Sequence, residues 1–369
     1  MGSTGDASFT ATANGTYSVI LEAESTTDVV QWRSDGGSTF IGSIDNCSVK
    51  EYLGQEVVPD SGCGSWLFEP QTTQLLTYSE DFSQSVWLKI GNTTIESGYL
   101  APDGTNSAYK VSGTNGSMFD VASMSTTTTR SIYAKTVSGT GQAHLLSYSS
   151  NSNNLFTITD QWQRFDVNSA IAAGASNFYA VDFRNQTTLT EIILWGANAT
   201  NDQDYATSYI PSNGSQVTRN QESCSNATPE INSEEGTLYF EGSALANDFT
   251  NRYITISDGT TNNRVVLRFN LTNEVSGFVK SGGITQALFT HSINILDTNK
   301  VAIKYKENDF ALWVNGVEVG TGLSGNTPIG LDRLGFRNAA NDFPFFGNTK
   351  DVQVYTKALS DAELIKLTT

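Results

Sequence analysis

A chain of 369 residues is too long for one ordinary sandwich and suits two or three domains of about 100–150 residues each. With 38% hydrophobic, 11% aromatic and only 16% charged residues, its polar surface must be made largely of Ser, Thr, Asn and Gln. The net charge of −17 is spread along the chain without forming a tail, which opposes contact with a phosphate backbone and excludes a nucleic-acid partner from the expectations.

The N-terminal run Met1-Gly2-Ser3-Thr4-Gly5-Asp6 has neither a basic nor an apolar signal region, and no apolar run approaches the ~18 residues of a membrane span. No membrane insertion is expected. Residues 1–54 hold Phe9-Thr10-Ala11-Thr12, Val29-Val30-Gln31-Trp32-Arg33 and Ile41-Gly42-Ser43-Ile44-Asp45-Asn46. The same order and similar spacing recur in Phe156-Thr157-Ile158-Thr159, Tyr179-Ala180-Val181-Asp182-Phe183-Arg184 and Leu189-Thr190-Glu191-Ile192-Ile193-Leu194. The repeat predicts two related sandwich units, the first of them partial; the competing reading is a small self-sufficient sheet in which the repeat is accidental. Lacking strands to cover Val19, Leu21, Val30 and Trp32, that partial unit needs completion from outside, by other sequence, a neighbouring subunit or the second unit.

Residues 55–74, with Pro59, Pro70 and little alternation, read as a linker that packs on its neighbours, residues 75–220 as a full sandwich, and residues 221–234 as a second linker. A third domain spans 235–369. There Val301-Ala302-Ile303-Lys304-Tyr305-Lys306 and Asp351-Val352-Gln353-Val354-Tyr355 alternate as half-buried strands should. Asn315-Gly316, between Phe310–Val314 and Val317–Val319, suits a two-residue hairpin turn because both residues tolerate positive φ. Ser360-Asp361-Ala362-Glu363 is a capping box that predicts a short terminal helix through Leu364, Ile365 and Leu367. The fold class is therefore all-β, tandem antiparallel sandwiches.

Catalytic constellations are missing. Val301-Ala302-Ile303-Lys304 has the pattern of a protein-kinase strand, but no glycine-rich loop precedes it and no His-Arg-Asp or Asp-Phe-Gly follows. His144 and His291 fall in different domains, outside any HExxH motif or nucleophile elbow. Cys47, Cys63 and Cys224 are odd in number and far apart, so they suggest neither a disulfide framework nor a zinc site. No strand presents the alternating carboxylates of a sandwich-fold glycosidase. The expectation is no enzyme and no catalytic residue.

Sugar binding asks for less: an exposed ring and a few amides or carboxylates. Trp87, Trp162, Trp195, Trp313 and the Phe343-Pro344-Phe345-Phe346 cluster are candidate platforms, each with a core position as the competing reading. Asn338, Asn341 and Asp342, just before Phe343 and Phe345, make the best candidate glycan-binding loop.

Leu67-Phe68-Glu69-Pro70-Gln71 through Leu75-Leu76-Thr77-Tyr78-Ser79-Glu80-Asp81-Phe82, closed by Tyr205-Ala206-Thr207-Ser208-Tyr209-Ile210-Pro211, resembles a carbohydrate-binding-module-like jelly roll of tailed-bacteriophage tail and adhesion proteins. Leu312-Trp313-Val314-Asn315-Gly316 and the closing Gly347 to Leu364 resemble the laminin-G or concanavalin A-like superfamily. The resemblance implies a virion structural protein, a tail fibre, appendage or capsid-decorating fibre, on the tail or capsid surface. Its partners would be other virion proteins, copies of itself in a trimer, and host-surface glycans. The alternative is the non-catalytic module array of a secreted polysaccharide-degrading enzyme, or a bacterial adhesin. Related jelly rolls hold a structural Ca²⁺ near the position of Glu80 and Asp81, and the Asp202-Gln203-Asp204 loop offers further oxygens; solvated loop carboxylates are the competing reading.

Overall fold

Strands dominate the computed structural model, which describes residues 55–58, 65–121, 124–125, 128–151, 153–168, 176–201, 203–224, 228–270 and 273–369. The partial unit over residues 1–54, with Val19, Leu21, Val30 and Trp32, lies outside the described residues, as do Cys47, Cys63 and Asp202.

The first strands in chain order are β1 (Gln55–Val58), β2 (Trp66–Phe68), β3 (Thr72–Gln74), β4 (Trp87–Ile90), β5 (Thr94–Tyr99), β6 (Ala108–Ser112) and β7 (Ser117–Asp120). They are followed by β8 (Thr129–Lys135), β9 (Gly141–His144), β10 (Leu155–Ile158), β11 (Gln163–Val167), β12 (Phe178–Asp182), β13 (Glu191–Thr200) and β14 (Val217–Arg219). Two antiparallel five-stranded sheets, β10-β9-β12-β7-β4 and β11-β8-β13-β6-β5, enclose the jelly-roll core. Phe82, Trp87, Met118, Ile132, Phe178 and Leu194 fill it. Each such side chain contributes about 1.5–3 kcal/mol by leaving water. β3 and β14 close the unit where the chain enters and leaves. Gln74 is fully buried there, donating to the carbonyls of Ala197 and Ile210 while accepting from the amides of Leu76 and Ala199. A buried amide needs that full set of partners.

The C-terminal sandwich adds β15 (Glu235–Ala244), β16 (Arg252–Ser257), β17 (Arg264–Asn270), β18 (Glu274–Ser281) and β19 (Ile284–Ser292). Then come β20 (Asn299–Lys306), β21 (Asp309–Val314), β22 (Val317–Gly322), β23 (Arg333–Gly335), β24 (Gly347–Tyr355) and the helix α1 (Asp361–Thr368). One sheet runs β19-β18-β17-β16-β23; the other runs β1-β24-β15-β20-β21-β22, with β2 also on β24. Leu238, Phe240, Ile256, Phe269, Ile303 and Leu312 lie between them.

The local signals of this domain hold. Asn315 and Gly316 take φ 49° and 82° between the paired Val314 and Val317. The Ser360 side chain caps α1 and Glu363 returns the bond to the Ser360 amide. Two expectations need correction. Residues 55–74 are more than a linker: β1 and β2 pair with the edge of β24, because a strand edge left open would present unpaired backbone groups. β20 is buried on both faces, since α1 lies over it through Tyr239, Ala302, Ala311, Trp313, Leu359 and Leu364. Lys304, expected on a solvent face, instead reaches Asp309 at 2.7 Å from beneath that cover.

Candidate functional site

The loop singled out by sequence folds over the outward face of the β16–β19 side of the C-terminal sandwich. Asn338 is buried and its Oδ1 accepts a 2.7 Å bond from Arg264 Nη1. The Asn338 amide donates to the Asp342 carbonyl and its own carbonyl accepts from the Asn341 amide, which closes the loop into a tight turn. Asn341 and Phe343 pay for that turn with φ 67° and 49°, in the left-handed region that non-glycine residues rarely occupy. Phe343 is 44% exposed and stacks on Tyr253, with centroids 5.5 Å apart. Asp342 is exposed. Four of the five predicted residues therefore come together. Phe345 is the correction: 3% exposed, it packs edge-on against Phe240, Phe269 and Phe336 and offers no platform. Strand alternation would put both rings on one side; the left-handed backbone at Phe343, φ 49° just before Pro344, breaks it, so only Phe345 reaches the interior.

Glu80 and Asp81 are occupied by protein donors. Asp81 accepts from the Ser83 amide at 3.0 Å, Tyr109 OH at 2.8 Å and Gln84 Nε2 at 2.7 Å. Burial works against its charge, but the Gln84, Ser83 and Tyr109 donors hold the carboxyl down at about 2. Glu80 accepts from Tyr209 OH at 2.7 Å. Among the described residues no group of three or more His, Cys, Asp or Glu side chains is placed to hold a metal ion. The pair instead anchors Tyr109 and Tyr209 to the jelly roll. His144 is likewise structural, buried between Asn154 Oδ1 and the Asn185 carbonyl, each at 2.9 Å.

A second ring cluster escaped the sequence reading as a group. Trp195 lies on the outward face of the β11-β8-β13-β6-β5 sheet, 5.3 Å from Tyr133 and 4.7 Å from Tyr209. Its indole nitrogen donates to Ser107 Oγ at 2.8 Å. Tyr99 and Trp162 flank this centre, and all four neighbouring rings are partly exposed around the 6% exposed tryptophan. Three cations each cover one ring: Lys110 over Tyr99 at 5.6 Å, Lys135 over Trp162 at 5.3 Å and Arg164 over Tyr133 at 5.5 Å. Lys110 also meets Glu96 at 2.7 Å. The signal was present in Arg130-Ser131-Ile132-Tyr133-Ala134-Lys135, where Ile132 and Ala134 alternate with Ser131, Tyr133 and Lys135. What joins Tyr133 to Trp195 and Tyr209 is register across strands, which spacing along the chain does not reveal. Trp87, 1% exposed, fills the jelly-roll core, and Trp313 lies under α1; neither is a platform.

These faces belong to an all-β protein of tandem antiparallel sandwiches. No family model matches the chain, and no curated protein matches it. Among solved structures it is similar to the CBM40 module of the Ruminococcus gnavus IT-sialidase bound to α2,6 sialyllactose, at 20% identity over 37% of this chain and 85% of that one, TM-score 0.33. It is also similar to domain 4 of AbnA, an extracellular arabinanase from Geobacillus stearothermophilus in complex with arabinotriose, at 13% identity over 38% and 70% of the two chains, TM-score 0.32. The described residues contain no helix long and apolar enough to cross a membrane.

Proposed function

We propose that this chain is a non-catalytic glycan-binding protein displayed on a tailed-bacteriophage particle, and that the Trp195-centred face of the jelly roll is its sugar contact. The observation that carries the binding reading is the cluster of Tyr99, Tyr133, Trp162 and Tyr209 around Trp195 on one sheet face. Flat rings offer an electron-rich surface to the C–H face of a sugar, while Ser107, Glu96 and Lys135 at the rim meet hydroxyl groups. The virion setting rests on the resemblance of residues 67–82 and 205–211 to phage adhesion proteins. A homotrimer fits this use, because weak sugar sites gain from simultaneous engagement.

A glycan array with the wild-type chain, Trp162→Ala and Tyr133→Ala tests the binding, and electron micrographs of purified particles labelled for this chain test the location. Array signals that both variants retain in full would refute the assigned face. Turnover of any polysaccharide, abolished by replacing one acidic residue, would overturn the non-catalytic reading. Monomeric behaviour of the intact chain at high concentration would remove the trimer.

A further inference from the structure

The outward face of the β19-β18-β17-β16-β23 sheet carries four cations in a chain of net charge −17: Arg264 and Arg268 from β17, Lys280 from β18, and Arg333 from β23, which Asp332 meets at 2.7 Å. Register places Arg268 between Tyr253 and Ser276, Val266 between Thr255 and Phe278, and Arg264 between Ser257 and Lys280. Both guanidiniums lean on one ring: the Phe278 centroid lies 5.2 Å from Arg264 Cζ and 5.7 Å from Arg268 Cζ. Their charges repel one another there. Among the described residues no carboxylate oxygen comes within 4.0 Å of Arg264, Arg268 or Lys280.

The partners they do have are neutral. Arg264 donates to Asn338 Oδ1, and Arg268 donates to Ser276 Oγ at 3.0 Å and Tyr253 OH at 3.4 Å. The Nε of each arginine is buried without an acceptor, and so is the Thr255 hydroxyl between them. Arg264 is only 8% exposed and Thr255 only 1%. The Asp342 charge favours the Arg264 cation from a distance but does not touch it; a buried cation with no counter-charge in contact is costly, and orphaned buried donors are rare enough to require a cause.

Beside these groups opens a cleft of about 430 Å³, with Thr255, Ser257 and Gly335 along β16 and β23 and Arg337, Asn338 and Asn341 from the loop. Gly335 pairs with Thr255 and brings no side chain to fill the space. Three acids belong to this face. Asp332 lines the cleft and meets Arg333 at 2.7 Å. Asp342 is exposed on the loop, and Glu274 is engaged by Asn270 Nδ2 and Ser276 Oγ.

We propose that this face binds the carboxylate of an acidic saccharide, the anion seated on the Arg264–Arg268 pair and the sugar ring lying against the exposed Phe343. A carboxylate supplies the counter-charge that the guanidiniums lack in contact and relieves their repulsion, and a guanidinium fork matches it in shape. Phe343, held over Tyr253 by the Asn338 turn, gives the ring a flat apolar surface next to that charge. The proposal concerns a different sandwich from the Trp195 face and stands independently of it.

The test is calorimetric titration of the full chain with a uronate trisaccharide and a sialyl trisaccharide, each beside its methyl ester. At least one acid is expected to bind while its ester does not, with affinity falling as salt rises. Which acid binds identifies the source of the carboxylate. Because Arg264 is buried and its replacement endangers folding, the variant is Arg268→Gln, expected to bind about tenfold or more weakly, as for loss of a charge-assisted hydrogen bond. Trp162→Ala, on the other sandwich, should leave this binding unchanged, so failure here and failure of the Trp195 face are told apart. No binding of either acid, equal binding of acid and ester, or full affinity in Arg268→Gln would each overturn the proposal.

Discussion

On the jelly-roll face each cation covers a ring of its own, Lys110 on Tyr99, Lys135 on Trp162 and Arg164 on Tyr133, and Glu96 neutralises the first of them. On the C-terminal face Arg264 and Arg268 share Phe278, with no carboxylate in contact. The two surfaces use the same residue types, so composition does not separate them. What separates them is convergence: the jelly-roll charges are dispersed over separate rings, whereas the paired guanidiniums concentrate positive potential on one ring.

The largest break in this comparison is expected at the shared ring. Phe278→Ala should cost the C-terminal sandwich about 3 kcal/mol in denaturant unfolding and abolish its carboxylate binding, since a 7% exposed ring is removed from under both arginines. Tyr133→Ala, which truncates a partly exposed ring, should cost about 1 kcal/mol and leave carboxylate binding intact. Equal losses would show that the two faces are energetically alike.

Asp81→Ala should destabilise the jelly roll by about 1–3 kcal/mol, because Tyr109, Ser83 and Gln84 lose their acceptor. Its folded carboxyl lies at about 2, below the unfolded value of about 3.9, so its contribution is complete above that value and is lost as pH falls through about 2. Acid unfolding monitored between pH about 4 and 2 should therefore be shallower in Asp81→Asn than in the wild type. An identical pH dependence would show that Asp81 is no anchor.

The smallest effect sharpens the comparison most. Glu96→Gln removes the one carboxylate that, among the described residues, pairs with a jelly-roll cation of this face, and its melting temperature should stay unchanged. Its carboxylate binding should stay unchanged too, because the three cations remain on separate rings. A new carboxylate affinity matching that of the C-terminal sandwich would show that pairing, not convergence, governs selectivity.

Local chemistry was legible in the sequence. Asn315-Gly316 and Ser360-x-x-Glu363 act through backbone preferences within a few residues, so the hairpin and capped helix follow directly. β20 was misjudged because its outward Ala302 and Lys304 are covered by α1, about sixty residues later, and such a cover leaves no mark on the strand's own alternation. In the candidate loop, Asn338 and Phe343 were found as an amide and a ring in one turn. Their partners Arg264 and Tyr253 come from distant strands, so the arginine pair remained hidden until register brought it beneath the loop.

The placement of β1 and β2 on β24 makes the C-terminal sandwich discontinuous in sequence, with the jelly roll inserted between its parts. The insertion leaves and returns at one point: β3 pairs with β14, while Glu69 accepts from the Ser208 amide and Arg219. The jelly roll is thus a cassette on a closed stem. Replacing residues 72–219 by a short flexible bridge should leave the C-terminal sandwich folded, with Phe68 still on Phe336 and the arginine face still competent. Removing residues 55–68 instead should uncover the β24 edge and make the remaining chain prone to strand-to-strand association. The seemingly incidental approach segment is therefore more essential to the last domain than the whole domain that separates them in sequence.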